Sequence, residues 1–360
     1  MKPVHVTEPF LPPLEEYTRL LGEIWERGWV TNHGPVLQQL ERGLAEHLEL
    51  DSRVICIANG GLGLQIALKA LGVRGEVVTT PFSYIATASC PLWDGCSVKY
   101  ADIDEETLTL DVAAVESTIT ADTEAILATH VFGNPCDVEA FRDLGEKHGI
   151  PVVYDAAHAF GVRYAGESVL RWGNASMVST HATKFFNTIE GGFVCSMNPE
   201  IEKKMEWMRR FGHDGPYEFH GVGLNAKLSE LHAAVGILNL QRIQSIIEVR
   251  KKATELYDEL LAGSDSVAFA MTIREGAEWN YAYYPVLYRS EAELVQAIER
   301  FGKVGIYPRR YFWPTLERAL GTGDGSDTPI AKDVSDRILC LPLSASITNE
   351  TIERVVSLVD

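Results

Sequence analysis

Apolar residues near the N-terminus recur at helical spacing. Those between positions 14 and 25 lie three or four residues apart, and Gly28 follows them. This spacing predicts an amphipathic helix that ends at the glycine. Because proline suits the first turn of a helix, we predict a second helix from Pro35 to about Leu48. An extended arm that closes at Pro12 and Pro13 precedes both helices.

From Arg53 onward, short apolar runs alternate with amphipathic segments. Strand–helix alternation of this kind is typical of an α/β fold, with a mainly parallel sheet and helices on both faces. In such a sheet, ligands bind at the carboxyl ends of the strands. The predicted strands are "RVICIA", "EVVTTP", "SVKYADI", "EAILATHVF" and "IPVVYDAA", and the predicted helices between them are "LGLQIALKAL", "YIATASCPLW", "DVAAVESTI" and "VEAFRDLGEKH".

The rest of the chain has a different pattern. A helix over "PEIEKKMEWMRRF" is followed by a glycine-rich loop at Gly212–Gly223, and one long helix is predicted from about Leu228 to Leu261. From Ser266, strand-like "NYAYYPVLY" and "RILCLPL" mix with helix-like "EAELVQAIERFGKVG". We therefore predict a large domain over residues 1–245, including the N-terminal arm, and a smaller α+β domain over residues 246–360.

Composition and charge narrow the class of protein. Hydrophobic residues make up 46% and charged residues 23% of the 360 positions, as in ordinary globular proteins. The net charge of −18 opposes binding to nucleic acid or to an anionic membrane, so neither is an expected partner. Because no apolar run could span a membrane and no signal-peptide pattern is present, we expect a cytoplasmic protein.

The cysteines give no sign of disulfide or metal chemistry. Six are scattered along the chain without a CxxC pair, and no His/Cys spacing suits zinc. Most lie in apolar runs such as "RVICIAN", where small buried thiols are common in a reducing compartment. We expect no metal site.

One lysine lies in an unusual setting. Lys184 occurs in "HATKFFNTIEGG", where aromatic and apolar residues surround it. A lysine is costly to bury unless it is paired or neutralised, and a Schiff base would neutralise it. Asp155 also follows an apolar run, although an aspartate alone is more typical of a helix N-cap or a turn. As a pair at strand ends, they suit pyridoxal 5'-phosphate, which needs a lysine for attachment and an acid to keep its pyridine nitrogen protonated.

Three further features fit this cofactor. Gly60 and Gly61 lie between a predicted strand and a helix, where backbone N–H groups hold phosphates, although glycine is also a plain turn residue. Ser179 could offer a hydroxyl to the phosphate or only satisfy the backbone. Tyr84 opens a helix at another strand end, where it could stack on the cofactor ring or join the core. Because all of them fall at strand ends of one predicted sheet, a shared site explains them better than separate structural roles.

Several stretches together resemble a known family. "ANGGLGLQIALKAL", "TTPFSYIATA", "YDAAHAFG", "STHATKFFNTIEGGF" and "GVGLNAKLSELHAAVGILNL" are similar to the DegT/DnrJ/EryC1/StrS family of pyridoxal-phosphate-dependent aminotransferases, which act on nucleotide-linked keto-sugars. The likeness covers nearly the whole chain. It implies a fold-type I (aspartate aminotransferase-like) large domain with a smaller C-terminal domain, L-glutamate as amino donor, and a homodimer with shared active sites.

The resemblance implies roles by position. Lys184 matches the Schiff-base lysine, Asp155 the partner of the pyridinium, and His158 a position beside the phenolic oxygen of the cofactor. Asn225 matches an asparagine that reaches the phosphate of the neighbouring subunit. The implied cofactor ligands are Gly60, Gly61, Tyr84, Asp155, His158, Ser179, Lys184 and Asn225.

Substrate contacts are expected in two places. The stretch "GIYPRRYFWPTL" is similar to that of members that aminate carbon 4 of dTDP-4-keto-6-deoxyglucose. Arg309 and Arg310 suit a diphosphate on an otherwise acidic surface, although for one of them an exposed pair facing acidic neighbours fits nearly as well. His181 and Glu190 flank the lysine and could touch the sugar.

The chain departs from the family pattern at three positions. Gly61 stands where threonine is common, so one phosphate hydroxyl is lost. Ala226 and Lys227 replace an aromatic residue and an arginine, which weakens the transfer of nucleotide contacts. Lys184 is present where dehydratase relatives carry histidine, and this favours transamination.

We therefore predict amino transfer from glutamate to dTDP-4-keto-6-deoxy-D-glucose, giving dTDP-4-amino-4,6-dideoxy-D-glucose. Amination at carbon 3, or of a sugar on another nucleotide, stays open. A non-catalytic regulator that binds the cofactor or a sugar nucleotide is opposed by the presence of both Lys184 and Asp155. A purely structural oligomer leaves Lys184 unexplained.

Overall fold

Helices and strands alternate along most of the chain. The computed structural model describes residues 3–323 and 327–360. The helices are α1 (Leu14–Arg27), α2 (Pro35–His47), α3 (Gly60–Ala70), α4 (Ala86–Trp93), α5 (Val112–Thr118), α6 (Val138–His148), α7 (Pro199–Met208), α8 (Glu230–Leu240), α9 (Ile243–Leu261), α10 (Glu291–Lys303), α11 (Leu316–Leu320), α12 (Pro329–Arg337) and α13 (Asn349–Val356). The strands are β1 (Val4–His5), β2 (Ile55–Ile57), β3 (Glu76–Thr79), β4 (Ser97–Tyr100), β5 (Thr123–Thr129), β6 (Val152–Asp155), β7 (Arg163–Tyr164), β8 (Glu167–Ser168), β9 (Ala175–Ser179), β10 (Gly192–Cys195), β11 (Val267–Phe269), β12 (Ala277–Glu278), β13 (Tyr284–Tyr288), β14 (Ile306–Tyr307) and β15 (Ile338–Leu341).

A seven-stranded sheet forms the centre of the molecule. Its strand order is β2-β10-β9-β6-β5-β3-β4, and every pairing is parallel except the two made by β10. The predicted mainly parallel sheet is therefore confirmed. Strand β10 was not predicted, because its four residues are buried and show no polar alternation that would mark a strand.

Both faces of this sheet are covered, which explains the continuous apolar runs of its strands. In β2, Ile55 and Ile57 pack on one face in the cluster that includes helix α3, whereas Cys56 packs on the other. In β5, Ile126 and Leu127 divide in the same way. The carboxyl ends of these strands are thereby held rigidly at one edge of the sheet.

The prediction of one continuous helix from Leu228 to Leu261 is wrong. The structure breaks it into α8 and α9, with Gln241 and Arg242 between them. The guanidinium of Arg242 donates to the Leu238 carbonyl oxygen at 2.9 Å and to Glu16 of α1 at 2.6 Å. The break is therefore fixed by a contact with the N-terminal helix, which the apolar periodicity does not report.

The C-terminal part has its own antiparallel sheet, in the order β11-β13-β15. Helices α10 and α13 and the second half of α9 pack on it in a separate apolar cluster. Strand β1 of the N-terminal arm pairs in parallel with β14 in this part of the chain. We keep 1–245 and 246–360 as the proposed domain limits, with the boundary in the first turn of α9. Among the described helices, none has both the length and the apolar character that a bilayer crossing requires.

Candidate active site

A cavity of about 370 Å³ lies at the carboxyl ends of the parallel strands. The ends of β5, β6 and β9, the start of α3 and the loop after β3 all contribute to its wall, and the segment 309–312 closes one side. This is the edge at which the parallel topology favours a ligand. The lining residues are Asn59, Gly60, Gly61, Ser83, Tyr84, Ala86, Thr129, Asp155, Ala157, His158, Met177, Ser179, His181, Thr183, Lys184, Glu190, Gly191, Arg309, Tyr311 and Phe312.

Most of the predicted site residues meet in this cavity, although they are far apart in sequence. The structure does not bring Asn225 or Arg310 into its wall. The predicted residues that do line it are Gly60, Gly61, Tyr84, Asp155, His158, Ser179, His181, Lys184, Glu190 and Arg309.

Lys184 presents an amine with unusual properties. Its Nζ lies 5.9 Å from the centre of the Tyr283 ring, and no ion-pair partner for it is found over residues 3–323 and 327–360. Desolvation lowers the pKa of Lys184 to about 8; Arg309 adds to this effect, and the negative charge of Asp155 opposes it. The amine is therefore partly neutral near physiological pH, as a nucleophile or proton carrier must be.

This lowered pKa makes a direct prediction for the protein without added cofactor. Only a neutral amine attacks an aldehyde, so reductive methylation of Lys184 should accelerate as the pH rises through about 8. A lysine side chain in water, with a pKa of about 10.4, requires a higher pH. Site-resolved mass spectrometry can compare the methylation rate of Lys184 with that of the side-chain amine of Nα-acetyl-lysine in the same tube. Equal pH dependence of the two amines would contradict the prediction.

Asp155 is the acid of the cavity. It is 3% exposed, and its Oδ2 accepts a hydrogen bond from the Thr87 hydroxyl at 2.8 Å, while its Oδ1 accepts from the Ala157 backbone N–H at 3.1 Å. Burial raises the pKa of Asp155, and the two hydrogen bonds and Lys184 oppose this rise. A buried carboxylate held in this way is well placed to accept a charged N–H from a ligand.

The ring of His158 has a fixed tautomer. Its Nδ1 accepts the Phe132 backbone N–H at 3.1 Å, so in the neutral ring the proton is on Nε2. Burial lowers the pKa of His158 well below its usual value, and Lys184 adds to the shift. The ring stacks against Phe132 and Phe312. His158 is therefore a neutral hydrogen-bond donor at the wall of the cavity.

The start of α3 offers an anion cradle. The Asn59 side chain accepts from the Leu62 N–H, while the N–H groups of Gly60 and Gly61 receive no protein acceptor within the described part of the chain. A Cβ at Gly60 would lie 3.0 Å from Met177 Sδ and 3.4 Å from Ser179 Cβ. The glycine thus lets the helix terminus approach Ser179 closely, and free N–H groups at a helix N-terminus favour a phosphate.

His181 and Glu190 lie next to each other in the cavity wall. The His181 Nδ1 accepts the Thr183 N–H at 3.2 Å, and its Nε2 lies 3.5 Å from Glu190 Oε1. Both side chains are about half exposed, at 46% and 57%. The arrangement presents a ring N–H and a carboxylate to any polar molecule that enters.

The two neighbouring arginines point in different directions. Arg309 lines the cavity with its guanidinium carbon 4.7 Å from the centre of the Tyr311 ring. Arg310 instead pairs with Glu291 at 2.8 Å, donates to the Asp336 carbonyl oxygen and stacks over Trp313. Consecutive side chains of an extended segment alternate in direction, so only one of the pair can face the cavity. Sequence reasoning could not decide which one.

Comparison with known proteins agrees with this geometry. Residues 14–360 match the model of the DegT/DnrJ/EryC1/StrS aminotransferase family. This chain belongs to that family. It is similar to the dTDP-4-amino-4,6-dideoxy-D-glucose transaminases of Shigella dysenteriae, at 37% identity over 99% of this chain and 98% of the relative, and of Escherichia coli, at 34% identity with the same coverage. The crystal structure of DesI in the presence of its TDP-sugar product superimposes with a TM-score of 0.93 and 28% identity, over 99% of this chain and 92% of that one. The fold-type I architecture and the aminotransferase activity predicted from the sequence are thereby confirmed.

In this aminotransferase, Asn225 lies outside the cavity of its own chain. It is exposed, and its Oδ1 accepts from Lys227 Nζ at 2.6 Å. The next residue bonds back to the glycine turn, since the Ala226 carbonyl oxygen accepts the Ala58 N–H. A contact of Asn225 with a neighbouring subunit stays a prediction.

Several lining residues of the aminotransferase were missed by sequence reasoning. Thr129 ends β5 as Asp155 ends β6, so the rule that led to Asp155 also applies to it. Ser83 lies beside Tyr84 in the same loop. By contrast, Tyr311 and Phe312 belong to the distant stretch in which sequence reasoning singled out only Arg309 and Arg310, and nothing in their local pattern marks these two aromatic side chains as lining residues.

Proposed function

We propose that this aminotransferase uses pyridoxal 5'-phosphate to move an amino group from L-glutamate to carbon 4 of a nucleotide-linked 4-keto-6-deoxy sugar. The favoured substrate is dTDP-4-keto-6-deoxy-D-glucose, and the product is dTDP-4-amino-4,6-dideoxy-D-glucose. The observation that carries the proposal is one cavity that contains both the amine of Lys184, with its lowered pKa, and the buried carboxylate of Asp155.

The residues present fit the cofactor. Lys184 would hold its aldehyde carbon, and Asp155 its pyridine nitrogen. The free N–H groups at the start of α3, with Ser179, would hold its phosphate. Tyr84 lines the cavity and remains 54% exposed, so its ring is free to cover a planar ligand.

Bound pyridoxal 5'-phosphate supplies an electron sink for the carbanion formed at the reacting carbon. The protein residues move and hold the protons. Lys184, partly neutral because desolvation lowers its pKa, would take the proton from the α carbon of the amino donor and pass it on within the same half-reaction, and it would deliver a proton to carbon 4 of the sugar in the second half-reaction. His158 can donate a hydrogen bond from its Nε2–H to a ligand in the cavity. Asp155 provides the negative charge that keeps the pyridine nitrogen of the cofactor protonated.

The substrate class is supported by charge as well as by relatives. The two similar transaminases are named for a dTDP-linked amino sugar. The guanidinium group of Arg309 adds a positive charge to the cavity wall. On a chain with a net charge of −18, an arginine at this position favours the diphosphate of a sugar nucleotide. Arg310 is engaged by Glu291 and Asp336, so we assign the diphosphate contact to Arg309 alone.

This assignment predicts different outcomes for the two arginines. Arg309→Ala should raise the KM for the sugar nucleotide about 10- to 100-fold, since a hydrogen bond to a charged group contributes about 1.5–3 kcal/mol. Arg310→Ala is the matched control: it should lower the melting temperature by removing the Glu291 pair, with KM nearly unchanged. Steady-state kinetics of both variants test this. A larger KM effect from Arg310→Ala would reverse the assignment.

The proposed reaction has a simple test. Purified protein supplied with pyridoxal 5'-phosphate should turn yellow, and borohydride should fix the cofactor on Lys184. Incubation with dTDP-4-keto-6-deoxyglucose and glutamate should then give a 4-amino sugar, identified by NMR. A product aminated at carbon 3, or turnover only with a GDP- or UDP-linked keto-sugar, would replace the substrate, whereas a colourless protein would exclude the reaction.

We also propose a cytoplasmic homodimer with shared active sites. Its support is the exposed position of Asn225 outside its own cavity, next to the glycine turn. All six cysteines are free thiols in the structure, as suits a reducing compartment. Light scattering gives the subunit count. Mixing Asn225→Ala subunits with Lys184→Ala subunits tests sharing, because a mixed dimer would hold both lesions in one site and leave the other intact.

A further inference from the structure

Three buried hydroxyl groups form a line that ends on Asp155. The Thr87 Oγ1 lies 2.8 Å from Asp155 Oδ2, Ser83 Oγ lies 2.7 Å from Thr87 Oγ1, and Thr129 Oγ1 lies 3.1 Å from Ser83 Oγ. Thr87 is fully buried, and the other three residues are at most 4% exposed. The proposed mechanism gives a role to Asp155 but none to the three hydroxyl groups.

The topology of the sheet brings the four side chains together. Strands β6, β5 and β3 are neighbours, and Asp155 and Thr129 are the last residues of β6 and β5. Ser83 lies in the loop after β3, and Thr87 in the first turn of α4. The line of hydroxyls therefore crosses three adjacent strand ends in the wall of the cavity, with Thr87 behind that wall.

Chemistry fixes the direction of every hydrogen bond in the line. An ionised carboxylate only accepts, so Thr87 must donate its single hydroxyl proton to Asp155. The oxygen of Thr87 can then only accept, which makes Ser83 the donor to it, and the same argument makes Thr129 the donor to Ser83. All three O–H dipoles point towards the carboxylate, and such chains polarise one another.

We propose that Thr87, supported by Ser83 and Thr129, is a positioning residue that keeps Asp155 ionised and oriented, so that the proton stays on the pyridine nitrogen of bound pyridoxal 5'-phosphate. The proposal rests on the proposed function. Its physical basis is that burial alone favours the neutral acid, and donors to the carboxylate oppose that effect. A neutral Asp155 would leave the ring nitrogen without its negative partner.

The test measures the protonation state of the pyridine nitrogen of the cofactor directly. Apoprotein is loaded with ¹⁵N-labelled pyridoxal 5'-phosphate, and the ring-nitrogen chemical shift, which separates protonated from neutral pyridine, is measured by NMR. Thr87→Val, which keeps the side-chain shape but removes the donor, should move the signal towards neutral pyridine and weaken cofactor binding about tenfold. Thr87→Ser should restore both, and Ser83→Ala should give a smaller change of the same sign.

A buried threonine elsewhere provides the control. Thr254 in α9 is 4% exposed, and its hydroxyl has no hydrogen-bond partner in the described structure, so Thr254→Val should leave the nitrogen signal unchanged. An unchanged signal in Thr87→Val, or an equal change in Thr87→Ser, would overturn the proposal and leave the proposed function standing. If Thr87→Val does not fold, Ser83→Ala decides by the same criterion. Failure of the wild-type protein to bind the cofactor would overturn the proposed function and this inference with it.

Discussion

Lys184→Ala should lower kcat for amino transfer by a factor of about 10⁴ or more, which is the upper range for loss of a positioned general acid–base group. Both half-reactions of the proposed mechanism use this one amine, so neither should survive. The structure supports the size of the effect, because no second lysine lines the described cavity. Stopped-flow absorbance with glutamate alone, and then with the keto-sugar alone, measures the two halves separately.

The absorbance of Lys184→Ala distinguishes a loss of cofactor binding from a loss of amino transfer. Lys184→Ala should still bind the cofactor at the start of α3 and beside Asp155, but borohydride should no longer fix it to the protein. Lys69→Ala is a suitable control, since Lys69 is partly buried in the same domain and donates to the Asp94 carbonyl oxygen outside the cavity. Residual activity within tenfold of wild type in Lys184→Ala would assign the chemistry to another group.

The central sheet and the lysine–acid pair could be predicted because both depend on local patterns. A strand buried on both faces has a continuous apolar run, and the polar residue that follows it lies at the ligand edge. Asp155 and Ser179 both follow this rule in the structure. Thr129 is also the last residue of its strand and follows the same rule. It was not predicted as a site residue because threonine is common in strands, so its position there indicated no special role.

Other features depend on contacts between distant segments, and the sequence pattern does not contain them. The direction of Arg310 is decided by Glu291 and Trp313, and the break between α8 and α9 is fixed by a contact of Arg242 with Glu16. The hydroxyl line at the wall of the cavity depends on the order of β6, β5 and β3 in the sheet. Such features follow from tertiary packing rather than from periodicity.

Asp155→Asn should lower kcat about 10²- to 10³-fold, the range for loss of one preorganised electrostatic contact. The amide has the shape of the carboxylate but no charge, so the ring nitrogen loses the partner that holds its proton. Attachment of the cofactor should survive, because Lys184 is intact. A second effect has a fixed sign: Asp155 raises the pKa of Lys184, so its removal should lower that pKa further below about 8.

The fall in kcat and the fall in the pKa of Lys184 can be measured in separate experiments. Methylation of Lys184 in Asp155→Asn should begin at a lower pH than in wild type, while turnover falls. Glu230→Gln is the matched control, because Glu230 is a fully buried carboxylate that accepts the Val36 and Leu37 backbone N–H groups at 3.0 and 2.7 Å, away from the cavity. It should reduce thermal stability with kcat retained. If Asp155→Asn kept wild-type kcat while still binding the cofactor, the carboxylate could not be the group that holds the ring proton.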